Sequence, residues 1–571
     1  MSRRLRSPMF WILLLAAGLR LAGLAWGLPA ADGWDDDGFA PRNFLTALAL
    51  TWKPGAYFTY PPLHALLLAL PSLPVAGWAL AHAPSLSQHD VIATITQPQY
   101  MTYFAVLGRL AGLAMSLGII WTIGEMARLV AGGALGDSRT APSKSRAGLF
   151  AAGACALNFA LTYYGQVSNL DVPYLFWGLL SLLWCMRAVT EEAPRRFWLA
   201  ALFAAAAVAT KDQAYALFLL SLPLFLLLWF ASDRWPRAHA GQVMKALLPA
   251  AIVALLLLLL VDGALTNAGG FVRRIAFLAG PASRDYAEYL SGPVGWLALL
   301  GDMLRYFAGG YGLLPMALAA AGLGLHFYRT KGVQRLAGAL PLLAAISFTV
   351  CFNFAALRSD DRFLLPQGLL ACFYIGLAAD TLAFAAQDRL RLAGRALLAV
   401  TALLALHWCV AVNAALLMDP RYDAEAWLAT HMKPGDTIET YGQNCFLPRF
   451  PQQALVTRIG QTDLRLRNPL PGVTERQEPF IAPRQSRFIV VSLAWARRYL
   501  RAAVPLGAGR IYSPLQQADF ANGDAHLYFT ALTSERLNYR LAYAASYHAP
   551  WPVTHIHDSL DETIWIFERG R

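Results

Sequence analysis

Charged residues are scarce in this chain. Asp, Glu, Lys and Arg make up 14% of its 571 residues, whereas soluble globular proteins carry about 25%. Hydrophobic residues make up 57% of the chain, and its mean hydropathy is +0.43. This composition excludes an ordinary soluble globular protein and is typical of a polytopic membrane protein.

Cysteine is also scarce, and several catalytic motifs are missing. Five of the six cysteines lie in apolar runs, so neither a disulfide framework nor a metal-type cysteine spacing is indicated. We find no P-loop, GxGxxG, HExxH or GxSxG motif in a convincing context, which leaves nucleotide chemistry unsupported. The net charge of +12 comes from short basic clusters between apolar runs. That pattern follows the positive-inside rule and does not indicate nucleic-acid binding.

Long apolar runs are abundant and predict about eleven transmembrane helices. The first follows a basic amino end and is interpreted as an uncleaved span. The runs lie at 9–28, 104–131, 147–164, 170–188, 197–210, 213–231, 246–262, 309–327, 336–356, 363–385 and 394–416.

The basic loops predict the orientation. With eleven spans, the Arg and Lys clusters between helices share the cytoplasmic side with the amino end. The run at 64–83, which Pro71 and Pro74 interrupt, is then predicted to form broken juxtamembrane helices along the outer surface. Composition rich in Arg, Ala and Leu favours a bacterium, so we predict a multi-pass protein of the bacterial inner membrane.

The composition changes after about Met418. An amphipathic helix, a turn and a strand follow, with further strands suggested at 488–494 and 563–569. We predict a transmembrane domain at 1–417 and a soluble periplasmic α/β domain at 418–571.

An acidic cluster follows the first span. Asp32, Asp35, Asp36 and Asp37 lie within six residues, and their mutual repulsion should raise at least one pKa, as a general base requires. The alternative is a solvated acidic turn that caps the helix starting near Phe39. The cluster alone does not decide between the two.

Two further residues lie at predicted outer helix ends. Asp171 precedes a span and is either a functional carboxylate or a helix N-cap. Lys211 ends an apolar helix on the outer side, so it either binds an anion such as Asp212 or a lipid phosphate, or snorkels.

Other polar residues are predicted on the same face. Arginine binds phosphate in a bidentate manner, although Arg358 and Arg362 also flank Asp360 and Asp361 as a local salt-bridge cluster would. A lone histidine is rarely a metal ligand. The candidates are Arg109, Arg358 and Arg362 for a donor phosphate, and Tyr60, His64 and Arg284 for substrate.

The order of these motifs resembles that of the GT-C glycosyltransferases that use polyprenyl-phosphate sugars. That group includes protein O-mannosyltransferases and the aminoarabinose transferase of lipid A. The resemblance covers roughly residues 1 to 420, and the acidic run has three Asp where the family usually has Asp-Glu. The matching stretches are WDDDGF, TYPPLHALL, GRLAGL, SNLDVPYLFW, VATKDQAY and DRFLLPQ.

The resemblance implies an inverting single displacement at the anomeric carbon of a lipid-linked sugar. An Asp of the 35–37 cluster would be the general base, and Asp171 would orient the acceptor or the base. Lys211, with Arg109 or Arg362, would neutralise the departing polyprenyl phosphate. The implied partners are the bilayer, the donor lipid and a glycan, lipid or protein acceptor; no cofactor is required, and a divalent cation remains open.

Two other classes of protein are alternatives. A transporter or lipid flippase predicts midplane charges and related halves, whereas here the candidate charges cluster at one face. A membrane-anchored binding or sensor protein predicts a featureless membrane part, which the acidic loop argues against.

Overall fold

The structure is a computed structural model. It describes residues 7–30, 34–35, 38–39, 41–133, 145–231, 237–451, 453–459, 473–476, 485–549, 560 and 563–570.

The first part of the chain is helical. Its α-helices are α1 (Pro8–Leu21), α2 (Pro41–Thr51), α3 (Leu63–Ala81), α4 (Gln88–Ile95), α5 (Pro98–Gly133), α6 (Ala147–Ala156), α7 (Phe159–Tyr164), α8 (Asp171–Thr190), α9 (Phe197–Val208), α10 (Ser221–Phe230), α11 (Arg237–Val261), α12 (Ala268–Ala279), α13 (Pro281–Arg284), α14 (Pro293–Tyr306), α15 (Leu313–Arg329), α16 (Gly332–Phe348), α17 (Phe354–Ala356), α18 (Asp361–Ala383) and α19 (Asp388–Leu417). Short 3₁₀ turns occur at Pro194–Arg196 and Asp212–Leu217, and π-helical turns at Phe307–Tyr311 and Thr349–Asn353.

Membrane-spanning helices are numerous. Within the described ranges, eight helices are long and apolar enough to cross a membrane, or up to nine if one bent pair counts as a single span. The first helical segment of that pair ends at Tyr311 and the second begins at Leu313, and their axes differ in direction by 113°. The helices α1 and α6 are apolar but shorter. The prediction of a polytopic α-helical membrane protein is confirmed.

Helix α3 differs from its prediction. The run was expected to break at Pro71 and Pro74, but Leu63–Ala81 is one helix with both prolines inside it. Each proline removes one backbone donor, yet α3 packs against α2 and α5, which holds the remaining turns in line. Its length and composition also fit a span, so its position along the outer surface stays a prediction.

The centre of the bundle is held together by close backbone approach. A Cβ added at Gly124 would lie 2.9 Å from the carbonyl oxygen of Gly148, and one at Gly376 would lie 2.6 Å from that of Ala147. Small residues at helix crossings allow this packing in membrane proteins. The helices α5, α6 and α18 therefore form a tight frame that fixes the positions of their ends.

The remaining chain forms an α/β unit, as predicted. Its elements are α20 (Pro420–His431), β1 (Thr437–Tyr441), β2 (Leu455–Ile459), β3 (Val473–Arg476), β4 (Phe488–Ser492), α21 (Leu493–Leu500), α22 (Pro514–Ala521), α23 (Gly523–Thr533), β5 (Tyr539–Ala545) and β6 (Ile564–Arg569), with a 3₁₀ turn at Asn444–Phe446. The strand order in the sheet is β3-β2-β1-β4-β6-β5. The first four strands in this order are parallel to one another, and β6 is antiparallel to both of its neighbours. The division of the chain at 417/418 stays a prediction.

Candidate active site

The acidic segment lies against the loop that precedes α8. The backbone N–H of Phe39 donates a hydrogen bond to the carbonyl oxygen of Ser168, three residues before Asp171. Asp35 is half-buried, and its carbonyl oxygen accepts from Gly38 N at 3.1 Å. This turn brings Asp35 and Asp171 to one region of the molecule. Asp32, Asp36 and Asp37, which belong to the predicted cluster, lie outside the described residues.

The residue before Asp35 is fixed by the C-terminal part of the chain. Trp34 is 2% exposed, and its ring faces two guanidinium groups, those of Arg421 at 4.4 Å and Arg449 at 5.3 Å from the ring centroid. The ring of Tyr422 meets it edge-on at 4.9 Å. Arginine over a tryptophan face is a favourable contact, so this aromatic anchor limits the movement of Asp35.

Arg109 of α5 is a buried cation that interacts electrostatically with Asp35. It is 1% exposed and donates through one guanidinium nitrogen to the carbonyl oxygen of Leu24 at 2.7 Å. The carboxylate of Asp35 acts electrostatically on this guanidinium. Gly108 allows α5 to lie close to the loop that contains Ser168, since an added Cβ would lie 3.3 Å from the Ser168 side chain. Arg109 therefore supplies a fixed, buried positive charge that interacts with Asp35.

Asp171 and Lys211 form a buried ion pair. The Lys211 Nζ donates to Asp171 Oδ1 at 2.7 Å, and the two side chains are 10% and 1% exposed. Gln213 also donates to Oδ1 at 3.2 Å, and Asn169 donates to Oδ2 at 3.2 Å. Asp171 is therefore more than a helix cap, and Lys211 does not snorkel. Asp212, which the sequence suggested as one anionic partner of Lys211, pairs with Arg274 at 3.0 Å. Asp171 reaches Lys211 because the start of α8 meets the end of α9.

The YPPL turn joins this pair. The N–H of Leu63, directly after Pro62, donates to the carbonyl oxygen of Ala209 at 3.0 Å. Ala209 caps α9, and the backbone then becomes extended at Lys211. The turn thus holds the end of α9 at the height where Lys211 meets Asp171.

The start of α18 completes the site. Arg362 Nε lies 3.3 Å from Asp360 Oδ2, so the salt-bridge interpretation of this loop holds for that pair. Arg358 instead places its guanidinium over the rings of Phe363 and Tyr286, at 4.4 Å and 5.1 Å. The charges of Asp171, Asp360 and Asp361 all act on Tyr164 of α7.

Three candidates have other surroundings. His64 is 3% exposed and packs its ring against Phe39 at 6.1 Å. Tyr60 lines a small cavity together with Asp262 and Arg274. Arg284 is exposed at the end of α13. Of these three, Tyr60 alone faces a charged cavity.

The structure adds a second buried charge cluster. Arg274 is 4% exposed and bridges Asp212 Oδ2 at 3.0 Å and Asp262 Oδ2 at 2.8 Å. Burial raises the pKa of Asp262 to about 6, against the opposing effect of Arg274. The sequence carried a signal for it, because Asp262 directly follows an apolar span and needs a cation there.

The described residues contain no group of three His, Cys, Asp or Glu side chains arranged to hold a metal ion. This finding leaves out Asp36 and Asp37, so the divalent cation left open by the sequence stays untested.

Comparison with known proteins gives matches in structure only. No family model matches the chain, and no curated protein matches it. The crystal structure of ArnT from Cupriavidus metallidurans in the apo state is similar, with 15% identity, a TM-score of 0.47 and coverage of 88% of this chain and 96% of that one. The structure of the same protein bound to undecaprenyl phosphate gives 14% identity, a TM-score of 0.46 and coverage of 88% and 97%. At this level of similarity the likeness assigns neither a family nor an activity to this chain.

Proposed function

We propose that this chain is an integral membrane glycosyltransferase that moves a sugar from a polyprenyl-phosphate donor to an acceptor hydroxyl at the outer membrane surface. The observation that carries the proposal is a grouping of charges: Asp35 acts electrostatically on buried Arg109, and the segment of Asp35 is hydrogen-bonded to the loop that leads into the buried Asp171–Lys211 pair. Carboxylates and cations held together at a membrane boundary suit the transfer of a group from an anionic lipid.

Asp35 is the proposed general base. Its carboxylate takes the proton of the acceptor hydroxyl as the acceptor oxygen forms a bond to the anomeric carbon. The bond from that carbon to the phosphate oxygen breaks at the same time, so the sugar inverts and polyprenyl phosphate leaves with the electron pair. Arg109 is the proposed electrostatic partner of Asp35, and the aromatic anchor around Trp34 holds Asp35 in position.

Lys211 is the proposed cation for the phosphate. An ammonium group has three donors, and one of them is directed to Asp171. The buried site excludes much of the water, so a fixed cation stabilises the developing negative charge more strongly than it would in solution. The hydrogen bond to Asp171 holds Lys211 in position, and Arg362, which also pairs with Asp360, is the proposed second cation, from the α18 loop.

The proposed orientation follows the basic loops. The amino end and the positive loops lie in the cytoplasm, and the α/β unit covers the site on the periplasmic side of a bacterial inner membrane. The experiment that tests the chemistry also identifies the sugar and the acceptor.

The experiment measures transfer of labelled sugar by the full chain in lipid nanodiscs. Synthetic polyprenyl-phosphate sugars are the donors and envelope extracts supply acceptors. Asp35→Asn should lower the rate by about 10²- to 10⁴-fold, the usual contribution of a general base. Asp90→Asn is the matched control, because Asp90 lies on α4 with Ser85 and Ser87 as its hydrogen-bond partners.

Three results would overturn parts of the proposal. Equal rates for the wild type and Asp35→Asn would exclude Asp35 as the base, and single Asn variants of Asp36 and Asp37 would then identify it. A product with retained configuration would exclude single displacement. A folded protein that consumes no donor of the panel would exclude the enzyme class for those donors, and lipid flux in vesicles would test a flippase.

A further inference from the structure

A second cavity opens at the end of the bundle away from the candidate active site and extends inward to Asn158 and Tyr311. It has a volume of about 530 Å³, within the range of about 300–1,000 Å³ that is typical of ligand pockets. Helices α1, α6, α15, α18 and α19 surround it. The α18 residue Asp380 lies near its mouth, about 29 Å along the helix from Asp361 in the site. The mouth of the cavity is therefore far from the proposed reaction.

The wall of this cavity is apolar and is kept open by small residues. Phe150, Leu318, Ile375 and Trp408 line it together with several alanines. A Cβ added at Gly153 would meet no atom within 4 Å, so the cavity begins directly at the α6 backbone. Ala399 and Ala402 of α19 line it and are also exposed. The cavity thus reaches the surface of the bundle, where lipid is the solvent.

Polar groups occur at its two ends. Arg146 is exposed at the mouth, and its guanidinium lies 5.3 Å from the ring centroid of Phe384, over which Arg395 also lies at 5.9 Å. The carboxylate of Asp380 accepts from the backbone N–H of Arg146 at 2.9 Å and from Ser145 Oγ at 2.8 Å. The mouth therefore has two guanidinium groups, those of Arg146 and Arg395, and one carboxylate, that of Asp380. The balance of these charges is positive.

At the deep end the polar groups bond to each other. Asn158 Nδ2 donates to Tyr311 Oη at 3.1 Å. A peptide in this cavity would find few partners for its backbone groups, and each unpaired group is unfavourable in an apolar site. A hydrocarbon chain needs none. The wall therefore suits an alkyl chain whose anionic end stays at the mouth.

We propose that the cavity binds an acyl chain of an anionic phospholipid from the leaflet opposite to the candidate active site, with the lipid phosphate on Arg146. A basic side chain at a membrane surface attracts an acidic lipid, and an acyl chain in the cavity buries its methylene groups against the apolar wall. Such a lipid is a structural or regulatory ligand and is distinct from the donor, whose phosphate is proposed at the other end of the bundle.

Native mass spectrometry of the full chain in detergent tests this site. The probes are phosphatidylglycerol and phosphatidylcholine with identical acyl chains. The wild type should retain one phosphatidylglycerol with a preference of about fivefold, which converts to about 1 kcal/mol. Arg146→Gln should bring the two lipids close to parity. Gly153→Leu should lower the retention of both, because the new side chain occupies the cavity.

The control for the cavity variant is Gly18→Leu. Gly18 of α1 is exposed and also has no atom within 4 Å of an added Cβ, so this change adds the same side chain outside the cavity. If Gly153→Leu does not fold, Ala402→Phe fills the cavity from α19. Unchanged retention in a folded cavity variant would overturn the proposal, as would an unchanged lipid preference in Arg146→Gln. Retention of polyprenyl phosphate in place of phospholipid would also overturn it and assign the cavity to the donor tail.

Discussion

Replacing Lys211 by Met should destabilise the protein and abolish transfer, and the cause of each effect can be separated. The substitution keeps the length of the side chain but leaves Asp171, whose side chain is 1% exposed, without its cation. Breaking a buried ion pair in this way costs about 3–5 kcal/mol in the free energy of unfolding. That is a large part of the total of about 5–15 kcal/mol for a typical domain.

The double variant Asp171→Asn with Lys211→Met should recover most of the lost stability. Both charges are then absent, and an asparagine at 171 keeps an oxygen for Gln213 and Asn169 to bond. Replacing both partners of a buried pair is often neutral. The transfer rate should nevertheless stay lower by about 10²-fold or more, because the cation proposed to stabilise the leaving phosphate is missing.

The assay pairs two measurements on the same preparations. Detergent-induced unfolding gives the free energy of unfolding, and label transfer from the lipid-linked donor gives the rate. The control is Arg391→Gln, which breaks the exposed pair with Asp388. It should change the stability by no more than about 1 kcal/mol and leave the rate unaltered.

A double variant that regains both stability and transfer would refute the catalytic role of Lys211. The pair would then serve only to close the outer ends of α8 and α9. A Lys211→Met variant as stable as the wild type would refute the burial argument itself.

Two further predictions concern stability. Burial raises the pKa of Asp262 from 3.8 to about 6. Its contribution to the free energy of unfolding is therefore full below about pH 3.8 and is lost as pH rises through about 6, with a slope of at most about 1.4 kcal/mol per pH unit. Between pH 4 and 7 the free energy of unfolding should fall less steeply in Asp262→Asn than in the wild type, and parallel curves would contradict this. Gln166 accepts from Gly23 N at 2.9 Å and donates to Asn413 Oδ1 at 3.1 Å, all within the bundle. Gln166→Leu should therefore cost about 1–3 kcal/mol for each unpaired group, whereas the exposed Gln99→Leu should change little; equal unfolding midpoints would contradict the assigned hydrogen bonds.

The sequence predicted helix ends better than it predicted partners. Lys211 was expected to need an anion, and it has one, but in Asp171, 40 residues earlier. Antiparallel neighbours explain this, since the start of α8 and the end of α9 share a face. The same reasoning would have paired Arg274 with Asp262. Residues adjacent in sequence, such as Asp212 for Lys211, are the obvious candidates for an ion pair. The direction of the side chains at the helix end determines which residues actually pair.

Contacts between distant segments escaped sequence reasoning. The acidic run gives no indication that Trp34 packs against Arg421 and Arg449. Hydrophobic periodicity predicts which face of one helix or strand is buried, not which distant residues it contacts. Helix α3 shows the opposite error. Its two prolines predicted a break, because proline interrupts a helix that has no neighbours to support it. Packing against α2 and α5 keeps this helix continuous.

The seam between the helical bundle and the α/β unit restricts how this protein can be divided. Arg421 and Asp419 are fully buried and bonded to each other, with Arg421 Nε 2.8 Å from Asp419 Oδ1. Asp419 also accepts from Trp26 Nε1 at 2.9 Å, and Arg421 donates to the carbonyl oxygen of Cys445. A cut at 417/418, where the composition changes, would remove these charges from the aromatic residues of the first loop. The two parts are therefore not interchangeable units, and an exchange between related chains would have to carry the first loop and the residues from 419 to 449 together.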